Sequence, residues 1–307
     1  MISSFFSKTR PINFLVLLIF AALLFWVVTL NLSTSYFNSY QIGETILGSI
    51  AIVFSVFMLG NTVRIRKLTS DNSFAMLFFC ILLMIFYHTL VDTNTIFAFA
   101  LLMVSWSRIM ALKSSKNQKE KIFESALWLF LATFFVKWTL IYIIPLYIGI
   151  SIFCTKQLRL WLMPLAAFLC ITILGTAIAF TFHVFDFFKE KYQFVLSWDF
   201  FLNSNYLELL YIVFISMIIL FVFGKLGYRR LGRTLSLRLI LAYFITSLFL
   251  MIILVHKIEQ IIVLSFFPAA IFLANYLETI KNPKRKELFI TSCIFLPFLG
   301  FVIRLLQ

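Results

Sequence analysis

The sequence predicts an all-α protein, a polytopic integral membrane bundle of about eleven transmembrane helices. The first observation is composition, because 63% of the 307 residues are hydrophobic and only 12% are charged, whereas a soluble domain has about 25% charged residues. The second is that apolar segments long enough to cross a bilayer recur from one end of the chain to the other. The third is that the charges lie in the short connections between these segments. The chain 1–307 is therefore predicted to be a single transmembrane domain.

Each predicted span is taken to be a helix, because backbone polar groups in lipid have no water to bond. The first span follows Lys8 and Arg10 and lacks a small-residue cleavage site, so it is interpreted as an uncleaved membrane helix rather than a signal peptide. The predicted spans are 12–30, 44–63, 73–90, 95–112, 122–136, 138–155, 160–182, 206–224, 239–255, 261–277 and 288–305.

The basic residues predict the orientation of these spans. Most of the 26 Lys and Arg residues fall in alternate connections, which the positive-inside rule assigns to the cytoplasm. The chain is therefore predicted to have a cytoplasmic N-terminus and a periplasmic C-terminus in a bacterial inner membrane. The net charge of +14 is attributed to orientation and to anionic lipid headgroups, not to nucleic acid. The main basic clusters are 64–67, 113–121, 227–233 and 281–286.

One long apolar run, 122–155, has Glu124 near its start and is otherwise interrupted by a charged residue only at Lys137. A single helix of this length would measure roughly 50 Å, which exceeds the bilayer core of about 30 Å. We therefore predict a hairpin that turns at Lys137–Trp138 and has two short arms. Lys137 itself has two interpretations, a functional cation within the membrane or a residue that extends its amine to the headgroups.

The longest segment between spans, 183–206, is predicted to be an amphipathic segment in the outer interface. It alternates many aromatic residues with charges such as Lys189 and Glu190, which is typical of helices that lie along a membrane surface. Such a segment can be an aromatic belt that only anchors the protein. Alternatively, it can be a lid over a lipid-linked substrate that enters sideways from the bilayer.

Polar residues on the predicted outer side form the candidate site. Glu44 and Asp92 are the candidate catalytic residues, because a carboxylate can act as a general base toward a hydroxyl group. The spacing of His88 and Asp92 predicts that both lie on one face of a helix end. The alternative is that all these residues are only the polar ends of spans. The candidate substrate-binding residues, which would contact a phosphate or diphosphate, are His88, Lys137, His183, Asp186, Asp199 and His256.

The sequence indicates no metal or cofactor. The four cysteines lie in or at the ends of apolar spans without C-x-x-C spacing, so they are interpreted as small buried residues. No phosphate-binding glycine loop, H-E-x-x-H motif or nucleophile elbow is present, which argues against ATP-driven transport by this chain. No metal site is therefore predicted, and the cofactor is left unknown.

Two resemblances extend these interpretations. The opening MISSFFSKTRPINF, with the length and layout of the spans, resembles an uncharacterised family of polytopic bacterial inner-membrane proteins with a domain of unknown function. The segment 124–153, ESALWLFLATFFVKWTLIYIIPLYIGISIF, is similar to the short-helix hairpin of GT-C class membrane glycosyltransferases. This second resemblance implies a polyprenyl-phosphate-linked sugar donor and acidic catalytic residues on the outer face. The long acidic first outer loop of that class is here only the short segment 31–43, with Glu44 at its end.

Three hypotheses for function follow. The first is an envelope-biogenesis transferase of the GT-C type, in which Glu44 or Asp92 is the base and Lys137 and His183 contact the phosphate. The second is a flippase or transporter of a lipid-linked substrate, which would require polar residues through the bundle interior. The third is a non-enzymatic scaffold or subunit of an envelope complex. The expected partners are membrane lipids, a polyprenyl-phosphate-linked substrate under the first hypothesis, and other membrane proteins under the third.

Overall fold

The computed structural model describes residues 5–7, 10–32, 39–154, 157–182, 206–226, 231–254 and 258–306. All regular secondary structure in these ranges is helical, which confirms the all-α prediction. Four short 3₁₀ segments, Tyr87–Leu90, Ala111–Lys113, Lys137–Tyr142 and Ile262–Ser265, connect or extend the α-helices. The α-helices are α1 (Pro11–Leu32), α2 (Ser39–Arg66), α3 (Phe74–Ile85), α4 (Thr93–Met110), α5 (Gln118–Thr133), α6 (Ile143–Phe153), α7 (Leu158–Trp161), α8 (Met163–Thr181), α9 (Tyr206–Leu226), α10 (Leu231–Ile253), α11 (Ile258–Ile261), α12 (Phe266–Thr279) and α13 (Pro283–Leu306).

Seven helical segments in the described part of the chain are long and apolar enough to cross a membrane. Two further apolar segments, Phe74–Ile85 and Lys137–Phe153, are shorter. Many large apolar side chains on the outer helices are exposed, as expected where lipid replaces water as the solvent. The seven segments are Pro11–Asn31, Ile42–Arg66, Thr93–Lys113, Leu158–Thr181, Tyr206–Lys225, Arg233–Ile253 and Glu259–Thr279.

The centre of the bundle is the pair of helices α3 and α12. Every residue from Phe74 to Met84 is buried, and 89% of the apolar window in Glu259–Thr279 is buried. Phe79 of α3 stacks on Phe99 of α4 with ring centroids 5.6 Å apart. A helix that is apolar on all sides must be enclosed by other helices or by lipid, and here α1, α2, α12 and α13 all contact α3.

The predicted hairpin in 122–155 is present. Helix α5 ends at Thr133, a turn covers 134–136, and a 3₁₀ segment precedes α6. The two arms return to the same end of the bundle, since α6 contacts the segment Ala111–Lys113 and Lys121 at the start of α5 donates to the Ala111 carbonyl oxygen. The turn begins a few residues earlier than Lys137–Trp138.

The predicted span 73–90 is wrong as a single helix. Helix α3 stops at Ile85, and the chain continues as the 3₁₀ segment Tyr87–Leu90 before α4 begins at Thr93. Twelve residues of α-helix measure only about 18 Å, so α3 is shorter than a bilayer core. The predicted amphipathic segment 183–206 lies outside the described residues except for Tyr206, where α9 begins.

Candidate functional site

The two candidate catalytic carboxylates lie at one corner of the bundle, at the starts of α2 and α4. The Thr93 hydroxyl donates a hydrogen bond of 2.5 Å to Glu44 Oε1, and Thr93 directly follows Asp92 in the chain. Glycine at position 48 permits this close approach, because a Cβ there would lie 2.8 Å from Phe25 Cζ and 3.4 Å from Thr93 Cγ2. The end of the bundle that carries Glu44 and Asp92 is called the carboxylate face below.

Asp92 has a structural role as the residue that precedes α4. Its backbone carbonyl accepts the Ile96 amide at 3.2 Å, and its Oδ2 accepts the Thr95 hydroxyl at 2.5 Å. Acidic residues are favoured at this position because they interact well with the positive end of the helix. Both carboxylates therefore accept hydroxyl groups from threonines, which is the contact that an alcohol substrate would make with a general base.

His88 is next to this corner but does not share a helix face with Asp92. The chain leaves the 3₁₀ segment at Val91 and starts a new helix at Thr93, so the i, i+4 geometry that the spacing predicted does not exist. The exposed His88 ring lies against Tyr87, with centroids 4.0 Å apart. His88 is thus a surface residue on the carboxylate face, and the predicted pairing of His88 with Asp92 on one helix is wrong.

Lys137 is the first residue of the 3₁₀ segment in the hairpin between α5 and α6. It is half-buried, and its ammonium nitrogen lies 6.0 Å from the centroid of the Trp138 ring. This position suits either of the two interpretations given for it. The other four candidate residues, His183, Asp186, Asp199 and His256, lie outside the described residues.

An apolar groove of about 560 Å³ runs along α3 between α9 and α13. Its wall residues Leu207, Leu210 and Phe214 are 40%, 70% and 42% exposed, so the groove is open on one side. It extends from Phe289 to Phe301 along α13, a length of about 18 Å. Its lining residues are Phe78, Ile81, Leu82, Met84, Ile85, Phe86, Tyr87, Leu207, Leu210, Tyr211, Phe214, Ile215, Leu273, Phe289, Ser292, Cys293, Pro297, Gly300 and Phe301.

One end of the groove reaches the carboxylate face. Tyr87 lines the groove and packs edge-on against Phe301 at 5.4 Å, and its ring also lies against His88. Deeper in the groove, the Tyr211 hydroxyl lies 2.8 Å from Ser265 Oγ. Among the candidate residues that the structure describes, Glu44, His88, Asp92 and Lys137 do not line the groove themselves. His88 is next to the groove because its ring contacts Tyr87, which lines the groove. Asp92 lies four residues further along the chain, just before α4.

The opposite end of the bundle holds a buried polar network that the sequence analysis missed. Arg233 of α10 forms a 2.7 Å ion pair with Glu278 of α12, and their side chains are only 17% and 15% exposed. The same carboxylate accepts the Ser70 amide at 2.6 Å and the Asn72 side-chain amide at 2.8 Å. Arg233 also donates to Asn275 Oδ1 at 2.5 Å. This end, which also carries Arg66 and Arg108, is called the arginine face below.

A pattern in the sequence could have indicated this network only weakly. Glu278 and Asn275 lie one turn apart at the end of an apolar span, a spacing that places both on one helix face. Their partners lie more than forty residues away along the chain, so the pairing follows from tertiary packing. In the described part of the chain, no group of three or more His, Cys, Asp or Glu side chains could hold a metal ion.

Comparison with known proteins adds no assignment: no family model, no curated protein and no solved structure matches the chain.

Proposed function

We propose that this protein is a bacterial inner-membrane enzyme of envelope biogenesis, which transfers a sugar or similar group from a lipid-phosphate carrier at the carboxylate face. The single observation that supports the proposal is the apolar groove, which is open on one side between membrane-type helices and ends at Tyr87 beside His88. A groove of this length suits a long hydrocarbon chain, since pockets that bind apolar ligands are lined mainly by apolar and aromatic residues.

The chemistry would take place where the groove meets the carboxylate face. Glu44 or Asp92 would accept the proton of an acceptor hydroxyl as that hydroxyl attacks the carrier-linked sugar. The leaving group is a lipid phosphate, and Lys137 and His88 supply candidate cationic or hydrogen-bonding contacts to it. His183, Asp186, Asp199 and His256 keep their predicted roles as further substrate contacts.

The groove can be tested separately from the chemistry. Gly300 lines the groove, and a Cβ added there meets no atom within 4 Å, so Gly300→Leu should fill the groove without disturbing the fold. Gly224→Leu is the matched control, because Gly224 also has open space around it and does not line the groove. Native mass spectrometry of the purified protein should detect a bound long-chain lipid in the wild type and in Gly224→Leu. Gly300→Leu should lose it, and equal retention in both variants would remove the main support for the proposal.

The chemistry is tested by neutral substitutions of the carboxylates. Glu44→Gln and Asp92→Asn should each reduce transfer by about a hundredfold or more if the residue is the base. Asp71→Asn is the control, because Asp71 is an exposed acid near the arginine face. The readout is the profile of lipid-linked intermediates and envelope glycans in cells that carry each variant. Unchanged profiles for both Glu44→Gln and Asp92→Asn would exclude the enzymatic assignment.

A scaffold is the second candidate function, and one observation favours it. The hydrogen bond from Thr93 to Glu44 connects α4 to α2, and the hydrogen bond from Thr95 to Asp92 lies at the start of α4. Contacts of this kind stabilise helix packing and helix ends in a non-enzymatic protein as well. Under this hypothesis, Glu44→Gln and Thr93→Val should weaken the same contact and lower thermal stability similarly. The protein should then purify with stoichiometric partners, and its glycan profiles should be unaffected.

A further inference from the structure

Three cations from three helices meet on the arginine face. Arg66 is the last residue of α2, Arg108 lies in the last turn of α4, and Lys121 lies in the first turns of α5. Helix α4 packs against both α2 and α5. Burial, followed by the positive charges of Arg66 and Arg108, lowers the pKa of the Lys121 ammonium below its ordinary value. The three positive charges are therefore close enough to repel one another.

Two of the three cations have their own partners. Arg108 Nε lies 2.9 Å from Glu124 Oε2. Lys121 Nζ donates to the carbonyl oxygens of Ala111 at 3.1 Å and Ser114 at 3.0 Å, and to the Ser114 hydroxyl at 3.0 Å. These contacts use all three hydrogens of the ammonium group, and they tie the start of α5 to the end of α4.

Arg66 differs from its two neighbours. Its side chain is half-buried, and it has no acidic partner among the residues that the structure describes. The partial negative charge at the end of α2 favours one cation there, but Arg108 and Lys121 add two more. A guanidinium group has five N–H donors and keeps its charge at all physiological pH values. The surroundings of Arg66 are thus electropositive, and the unused donors are those of the Arg66 guanidinium itself.

The backbone fixes Arg66 in place. The Lys67 amide donates to Arg64 O at 3.2 Å and the Leu68 amide donates to Val63 O at 3.1 Å, which is the hydrogen-bond pattern of a Schellman helix end. Lys67 has a φ of 52°, a conformation that glycine adopts most easily. Val63 and Leu68 are 3% and 0% exposed, so apolar packing holds this helix end and with it the position of Arg66.

We propose that Arg66, with Arg108 and Lys121 beside it, binds a phosphate group. Arginine recognises phosphate through two parallel N–H···O bonds, and a phosphate would offset the repulsion among the three cations. The chemical class is a phosphate ester or free phosphate, carried either by the headgroup of an anionic phospholipid or by a soluble molecule. This site is independent of the groove and of the transfer reaction at the other end of the bundle.

The test measures the thermal unfolding of the full-length protein in neutral detergent with defined anions. The probes are dioctanoyl-phosphatidylglycerol, dioctanoyl-phosphatidylcholine and inorganic phosphate, with ionic strength held constant by chloride. A ligand that binds only the folded protein raises Tm, and the rise grows with the logarithm of one plus the ratio of ligand concentration to Kd. We expect a rise with phosphatidylglycerol and none with phosphatidylcholine. An equal rise with inorganic phosphate would identify a soluble phosphate as the ligand.

Arg66→Gln separates binding from folding. Without anion, this variant should be as stable as the wild type or more stable, because one of three mutually repelling charges is gone. With anion, it should bind about tenfold more weakly or worse, since a hydrogen bond to a charged group is lost. Lys116→Gln removes an exposed cation from the adjoining connection and should keep the wild-type response.

Three results would each overturn the proposal. The wild type could show no anion-dependent rise. Arg66→Gln and Lys116→Gln could lose the rise equally, which would indicate diffuse charge attraction only. Finally, Arg66→Gln could lower Tm without anion while keeping the full rise, which would make Arg66 a structural residue.

Discussion

At the scale of single residues, two described non-glycine positions have a left-handed backbone conformation, and their residue types tolerate it differently. Lys67 and Asn117 have φ values of 52° and 51°. Asparagine tolerates this region better than other residues, whereas lysine is strained there. The Asn117 side chain also donates a 2.9 Å hydrogen bond to Glu120. The strain at Lys67 could not be predicted from the sequence, because glycine is the usual signal for such a helix end and RIRK contains none.

This difference gives a prediction about stability. Lys67→Gly should raise the unfolding free energy by about 1 kcal/mol, because glycine adopts the left-handed conformation without strain. Asn117→Gly should gain less or lose stability, because it also removes the hydrogen bond to Glu120. Thermal unfolding in detergent compares the two variants, and an equal gain for both would show that the conformation of Lys67 carries no special strain.

At the scale of helices, close packing depends on glycines at particular contacts. A Cβ on Gly60 of α2 would lie 2.8 Å from Phe14 Cε1 and closer still to Met76 Sδ, whereas a Cβ on Gly224 of α9 would meet nothing within 4 Å. The sequence shows both as glycines in apolar spans, and no local pattern distinguishes them. Only the packing of α1, α2 and α3 explains why Gly60 must lack a side chain.

The same substitution at these two positions should therefore have opposite effects. Gly60→Ala should destabilise the protein by about 1–3 kcal/mol, because the Met76 side chain and the Phe14 ring must shift within a packed interior. Gly224→Ala should stabilise it by up to about 1 kcal/mol, because alanine favours the helix more than glycine does. Thermal unfolding measures both, and destabilisation by Gly224→Ala would contradict the open surroundings of that position.

Among the described residues of the arginine face, two ion pairs allow a second comparison between helices. Arg233 and Glu278 join α10 to α12 with little exposure, whereas Arg108 and Glu124 are 48% and 43% exposed. Glu278→Gln leaves a mostly buried arginine without its counterion and should cost about 2–3 kcal/mol. Glu124→Gln should cost less than about 1 kcal/mol.

Thermal unfolding at several salt concentrations checks this difference, because screening weakens exposed pairs more than buried ones. Salt should thus reduce the small effect of Glu124→Gln further and leave most of the effect of Glu278→Gln. Equal costs for the two variants would mean that the buried network contributes nothing beyond surface charge.

At the scale of the whole molecule, the sequence predicted more of the fold than of the site. The pattern of long apolar runs located the helical segments, and length alone required the break in 122–155. It did not locate the ends of α3 or the early start of α10, because helices continue into polar residues such as Arg233 and stop inside apolar ones such as Phe86. The contact between Glu44 and Thr93 depends on how α2 meets α4, which local sequence does not specify.

The predicted orientation belongs to this scale and can be tested directly. In a background without the four native cysteines, Asn94→Cys should react with a membrane-impermeant maleimide in intact cells, because Asn94 is exposed on the carboxylate face. Lys116→Cys should react only after permeabilisation, as the positive-inside rule requires. The reverse pattern of labelling would place the carboxylates in the cytoplasm and exclude a reaction at the outer face.

The enclosed position of α3 has a consequence for biogenesis. A helix of about 18 Å cannot cross the bilayer alone, yet its main neighbour α12 is synthesised some 180 residues later, at about 5–20 residues per second. During those roughly nine or more seconds, the nascent chain holds a short apolar segment that α1 and α2 contact but that α12 does not yet enclose. Chains that stop before α12 should therefore be strong substrates for membrane quality-control proteases, even though their earlier spans are already inserted.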